Sequence, residues 1–150
     1  MNKGSTLKIF IVIVMVAVVA FFAFGQSAFA EGSVKVGDVS FAVPQGYHEG
    51  ELNSLGEVNL TDGNEEIFIS ECGENDVKSV IDEYKNNTTA SISSSDLTVD
   101  DMPVYKTVND KSGSEHYWFA KDGKVYTVYV WKGHGDVENT IFDIIKSASA

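Results

Sequence analysis

The sequence predicts an α+β fold, a largely antiparallel sheet of about seven strands packed with two helices. Three observations carry this expectation. Three β-hairpins can be solved from their turns, and each gathers its aliphatic residues on one face. Two segments repeat apolar residues at helical spacing. The connections between them are short and polar, and no internal repeat or second domain interrupts the chain.

The clearest hairpin is Ser114–Trp131, where two aromatic and β-branched runs flank Asp122-Gly123. A two-residue turn of this kind needs positive φ at both positions, which Gly tolerates freely and Asp better than most. The turn sets the register: Lys121 opposite Lys124, Phe119 opposite Tyr126, Tyr117 opposite Val128 and Glu115 opposite Val130. Strand side chains alternate, so these residues share one face and read as core. The other face pairs Ala120 with Val125, Trp118 with Thr127, His116 with Tyr129 and Ser114 with Trp131.

Two further hairpins agree. A turn at Gly37-Asp38 pairs Val36 with Val39 and Val34 with Phe41, and Pro44-Gln45-Gly46 ends the strand. A turn at Asp62-Gly63 puts Val58, Leu60, Ile67 and Ile69 on one side and Asn59, Thr61, Asn64 and Glu66 on the other. Tyr47 to Leu55 reads as a polar loop. Val77, Val80, Ile81 and Tyr84 mark the first helix, capped at Asn75 and ended at Asn86-Asn87. Thr88 to Ser95 reads as a Ser/Thr-rich connection, Leu97–Val99 as a weak strand and Val104–Val108 as a clearer one. After the central hairpin, Gly133-His134-Gly135 is a link. Asp136 is the expected cap of a last helix carrying Val137, Ile141, Ile144 and Ile145. The expected order is four strands, a helix, three strands and a helix.

The first thirty residues stand apart. Lys3 and Lys8 precede an apolar run from Ile9 to Gly25, and Ala28-Phe29-Ala30 has the small-x-small pattern of a cleavage site. Residues 1–30 are therefore expected to be a signal peptide, with an uncleaved membrane anchor as the alternative. Residues 31–150 form one domain, which at this size can bury enough surface to fold without disulfides or metal. Cys72 is the single cysteine, so no internal disulfide forms. It is either a reactive thiol or a small buried hydrophobe.

All 22 carboxylates follow residue 30, against nine of the 11 cations, giving 9 − 22 = −13 for the mature domain. The cations are all lysines. Such a balance argues against nucleic acid and against adsorption to anionic membranes, and favours a dispersed monomer in an exposed compartment.

Phe41-Ala42-Val43-Pro44-Gln45-Gly46-Tyr47 resembles the Phe-x-Ile/Val-Pro-x-Gly-Trp/Tyr opening of PsbP-like domains. The Asp122-Gly123-Lys124-Val125-Tyr126 turn and the closing Ile144-Ile145-Lys146-Ser147 fall within the same scheme. The resemblance implies an α-β-α sandwich of the kind used in extracytoplasmic accessory and assembly proteins, mostly without catalysis. No functional residue of the family maps onto this sequence, and a shared fold does not by itself transfer a function.

Candidate chemistry is sparse. Asp62, Asn64 and Glu66 alternate like the first ligands of a calcium loop, but Ile67 stands where that loop needs Gly, and Gly73 where it needs Glu. A hairpin turn explains the same residues. Asp100-Asp101 could hold a cation weakly but also reads as a solvated turn. His48, His116 and His134 show no zinc spacing. No catalytic residue, metal or cofactor is expected. The remaining candidate is the second face of the central hairpin, where His116, Trp118, Tyr129 and Trp131 could form a partner-binding patch or stack on sugar rings. Burial beneath a helix, as a second core layer, is the competing meaning. The expected function is an exported, non-catalytic accessory domain binding an extracytoplasmic protein or surface polymer. The alternative is a small-molecule-binding or hydrolytic domain using His116 with a nearby carboxylate.

Overall fold

The elements follow one another as β1 (Phe29–Val36), β2 (Val39–Pro44), β3 (His48–Glu49), β4 (Val58–Thr61), β5 (Glu66–Glu71), α1 (Val77–Asn86), β6 (Ile92–Val99), β7 (Met102–Asn109), β8 (Glu115–Lys121), β9 (Lys124–Val130) and α2 (Glu138–Lys146). This computed structural model describes residues 29–50, 57–74, 76–131 and 136–148. Seven strands form one antiparallel sheet in the order β3-β4-β5-β9-β8-β7-β6, and β1 and β2 form a separate two-stranded sheet. The fold is α+β, as expected, with five strands before α1 and four after it.

The central hairpin has the register set by its turn, from Glu115 opposite Val130 to Lys121 opposite Lys124. Asp122 and Gly123 take φ of 52° and 80°, the left-handed region the turn requires. The first hairpin likewise pairs Val36 with Val39 and Val34 with Phe41. The second differs in one respect. Its loop is Asp62–Glu65 rather than Asp62-Gly63, so Leu60 faces Ile67 and Val58 faces Ile69. Relative to the expected turn the pairing shifts by two residues, and a shift of two leaves every side chain on its own face. The longer loop is built by Asp62 Oδ1, which accepts from the N–H groups of Asn64 at 2.8 Å and Glu65 at 2.7 Å.

Four local expectations are corrected. Tyr47–Leu55 is not all loop: His48 and Glu49 pair with Thr61 and Leu60, while residues 51–56 lie outside the described ones. Thr88–Ser95 is not all connection, because β6 begins at Ile92 and pairs without a break to Val99. Its Ser93 and Ser95 satisfy their backbone through β7 and need no apolar alternation to do so. The described N-cap of α1 is Asp76, whose carboxylate accepts from the Ser79 N–H at 3.0 Å and hydroxyl at 2.7 Å. Asn75 lies outside the described residues. Finally, Asp136 does not cap α2. The N-cap position is Val137, which makes no side-chain cap bond and instead buries its side chain in the core.

One face of the large sheet is closed by two elements side by side. Val34, Val39, Phe41 and Val43 of the small sheet, with Val137, Ile141, Ile144 and Ile145 around α2, bury Leu60, Ile67, Ile69, Tyr117, Phe119, Tyr126 and Val128. Phe41 meets Phe119 and Tyr126 edge-on at 6.2 and 5.9 Å. Helix α2 is tied down at both ends. Glu138 accepts from Lys106 Nζ at 2.8 Å and the Tyr117 hydroxyl at 2.6 Å, and Ser147 Oγ accepts from the Ala42 N–H at 2.8 Å.

The expected leader lies outside the described residues up to position 28. Phe29 pairs with Pro44 across an irregularity that precedes Ser33. Cleavage after Ala30 therefore spares the pairs from Ser33–Ala42 to Val36–Val39. Among the described residues no helix is long and apolar enough to cross a membrane.

Candidate functional site

The opposite face of the large sheet receives one helix. Val80 and Ile81 of α1 pack on Trp118 and Val125, with Cys72, Val77, Tyr84 and Tyr105 at the margin. Ten residues of helix reach across only part of seven strands. What α1 leaves uncovered is the Trp131 end of an aromatic row that runs across the central hairpin and its neighbours.

That row is a ladder of rings. Phe68 on β5 stacks on Tyr129 at 5.0 Å and 17° between ring planes. Tyr129 on β9 stacks on His116 at 4.6 Å and 13°, and His116 on Trp118, both from β8, at 5.3 Å and 14°. The cross-strand register brings the first three together: Phe68 lies opposite Tyr129, and Tyr129 opposite His116. Tyr84 from α1 leans over both His116 and Trp118, at 4.9 and 5.3 Å. At the other end Trp131 meets Tyr129 edge-on at 5.8 Å and 85°.

Burial divides the four candidate residues. Trp118 is 4% exposed and its indole N–H donates to Thr107 Oγ1 at 2.9 Å; Tyr129 is 7% exposed. Trp118 belongs to the second core layer beneath α1 and Tyr129 is buried within the ladder, which corrects the reading of them as a free surface. His116 is half-buried, and Trp131, at 52% exposed, is among the described residues the large apolar side chain that faces solvent. The physical reason is α1: Val80, Ile81 and Tyr84 together cover the Trp118 end of the ladder and do not reach Trp131.

Electrostatics follow the burial. The His116 ring is held near a pKa of about 4 by desolvation, so it is neutral at pH 7, and its Nδ1 is buried without a hydrogen-bond partner among the described residues. The carboxylate at the ladder, Glu57, accepts instead from the Tyr129 hydroxyl at 2.7 Å. Burial and then that bond push the Tyr129 phenol up. The acid–histidine pair required by a hydrolytic use of His116 is not formed among the described residues. Cys72 is half-buried at the edge of the α1 cluster, and burial followed by the Glu57 charge raises its thiol to about 11. A thiol held in that form is a poor nucleophile.

The other sequence candidates resolve into turns. The oxygen of Asp62 serves backbone N–H groups, which hold its carboxyl below the usual range, and Glu66 accepts from Asn59 Nδ2 at 2.7 Å. Asp100 and Asp101 take φ of 51° and 65° as the two-residue turn between β6 and β7. His48 is exposed, and His134 lies outside the described residues. A separate groove of about 390 Å³ runs between the start of α1 and β7–β8, lined by Val77, Lys78, Met102, Pro103, Tyr105 and others.

Three members of the ladder region were missed in the sequence. Alternation from Ile67 and Ile69 places Phe68 on the outer face, and Tyr84 belongs to the α1 stripe, so both carried a signal. Glu57 carried none, because its role depends on where Tyr129 projects.

No protein-family model matches the chain, and no curated protein matches it. Among solved structures it is similar to the solution structure of cyanobacterial PsbP (CyanoP) from Synechocystis sp. PCC 6803. That similarity has a TM-score of 0.44 and 14% identity, covering 75% of this chain and 86% of that one. It is also similar to a crystal structure from Bacteroides thetaiotaomicron VPI-5482, with a TM-score of 0.43 and 17% identity over 75% of this chain and 44% of that one. The first matches the PsbP-like resemblance drawn from Phe41–Tyr47, as a likeness of fold alone.

Proposed function

We propose that this chain is an exported, non-catalytic accessory domain that acts outside the cytoplasmic membrane by binding a protein or surface polymer. One observation carries the binding surface: Trp131 is 52% exposed at the open end of a ring ladder that is otherwise buried or half-buried. A large ring already braced by its neighbours loses little freedom on binding and contributes a wide contact area, which is why Trp and Tyr dominate binding hot spots. The N-terminal leader pattern supports export, and the carboxylate excess supports a dispersed monomer. In this reading nucleic acid is not a partner, no cofactor is needed, and membrane contact is limited to residues 9–25 where the leader stays uncleaved.

Affinity capture from the host envelope, with the wild-type chain and Trp131→Ala side by side, tests the surface. The variant is expected to retain its partner about tenfold less well, the loss typical of a hot-spot aromatic. Equal retention by both removes the ladder from the reading. N-terminal sequencing of the exported protein is expected to begin at Glu31; an intact Met1 end in the membrane fraction would establish the anchor instead.

A further inference from the structure

The two edges of the seven-stranded sheet are unlike. At one, β3 is two residues long, too short to template another strand. At the other, β6 runs for eight residues in unbroken register with β7, from Ile92–Asn109 to Val99–Met102. Natural edges are commonly blunted by lysine, proline or a bulge. Strand β6, Ile-Ser-Ser-Ser-Asp-Leu-Thr-Val, has none of these, and residues 93–96 and 98 are exposed.

Its hydrogen-bonding parity can be read from its ends. The Asp110 N–H donates to the Ser91 carbonyl at 3.0 Å, and on the far side of β7 the Asn109 N–H donates to the Ser114 carbonyl at 3.0 Å. Bonded pairs alternate along an antiparallel ladder. The odd residues of β6 therefore bond to β7, while the N–H and C=O groups of Ile92, Ser94, Asp96 and Thr98 point away from the sheet. Among the described residues no strand pairs with that side.

We propose that the outer edge of β6 accepts an extended, lysine- or arginine-bearing polypeptide segment as an eighth strand of the sheet. Backbone groups of residues 92, 94, 96 and 98 supply the ladder, as in other cases of strand addition. Charge selects the occupant. The strand and its turn carry Asp96, Asp100 and Asp101 and no cation, within a chain of net charge −11. In an antiparallel pairing centred on residue 96, a second copy would set Asp96 against Asp96, and like charges directly opposite are destabilising. A cationic side chain in the same place is attracted. The exposed serines leave room for an incoming backbone to approach.

The test uses the full chain, labelled with ¹⁵N, and a short peptide alternating lysine and valine. On binding, amide exchange is expected to slow at Ser94, Asp96 and Thr98 while the already bonded amides of Ser93, Ser95 and Leu97 change little. A peptide of equal charge with alternating prolines, which cannot form a ladder, is expected not to protect them. Asp96→Lys is expected to weaken binding by about tenfold, the effect of replacing an attraction by a repulsion at a screened surface. Ser94→Pro removes one outward donor without touching the β7 ladder and is expected to weaken it as well; if that variant fails to fold, Asp96→Lys carries the test. Trp131→Ala is expected to bind the peptide normally, which keeps this site distinct from the aromatic rim. Protection without alternation, equal binding of the proline peptide, or dimerisation through β6 without peptide would each overturn the proposal.

Discussion

The two faces of the large sheet are made from the same strands and the same alternation of side chains, yet they end differently. On the inner face, Phe119, Tyr126 and Val128 are fully buried beneath a β-hairpin and a helix. On the outer face, a single ten-residue helix covers Trp118 and leaves Trp131 in solvent, although both tryptophans lie on the same side of one hairpin. Aromatic content does not decide which face is core. The area of the elements laid over it does.

Substitutions can break or sharpen this contrast. The largest effect is expected at Phe119→Ala on the inner face, where the lost transfer energy and the cavity together cost about 3–5 kcal/mol. Urea unfolding followed by circular dichroism measures it; a cost below about 1 kcal/mol would mean the inner face repacks as freely as the outer.

The roofed part of the outer face has its own signature in acid. The folded His116 titrates near 4 against an unfolded value of 6.5, so between those values the unfolded chain binds more protons. Stability present above about pH 6.5 is therefore lost as pH falls towards 4, by at most about 3 kcal/mol, and the loss stops below that. His116→Phe keeps a ring in the ladder and removes the proton. Its unfolding free energy is expected to be flatter across this window, and an unchanged slope would show that His116 is not the group responsible.

The hairpin shared by both faces depends on its turn. Gly123 has φ of +80°, with nothing near a would-be Cβ, so Gly123→Ala costs backbone strain alone, about 1–2 kcal/mol. A neutral result in thermal melts would contradict the left-handed turn. The smallest effect is expected at Trp131→Ala, within about 0.5 kcal/mol, since an exposed ring contributes little to folding. A larger loss would make Trp131 part of the second core layer rather than its open end.

Much of this fold was legible from local patterns. The registers at Gly37-Asp38 and Asp122-Gly123 followed from turn chemistry, and the α1 and α2 stripes from helical spacing. The second hairpin shows how robust such reasoning is: its loop is two residues longer than expected, yet Val58, Leu60, Ile67 and Ile69 share the buried side all the same. Strand β6 shows where it fails. A polar edge strand is held by backbone bonds to one neighbour, and Ser93–Ser95 leave no apolar trace of them.

The candidate site was legible in its members and not in its state. His116, Trp118, Tyr129 and Trp131 fall on one face by alternation alone, because a strand period of two is a property of the backbone. Which of them meets solvent was settled by tertiary structure. Tyr84 reaches the Trp118 end from a helix more than thirty residues earlier in the chain, Phe68 joins through the pairing of β5 with β9, and Glu57 takes the Tyr129 hydroxyl. Local sequence determines the direction of a side chain; only the packing of distant elements determines what stands in front of it.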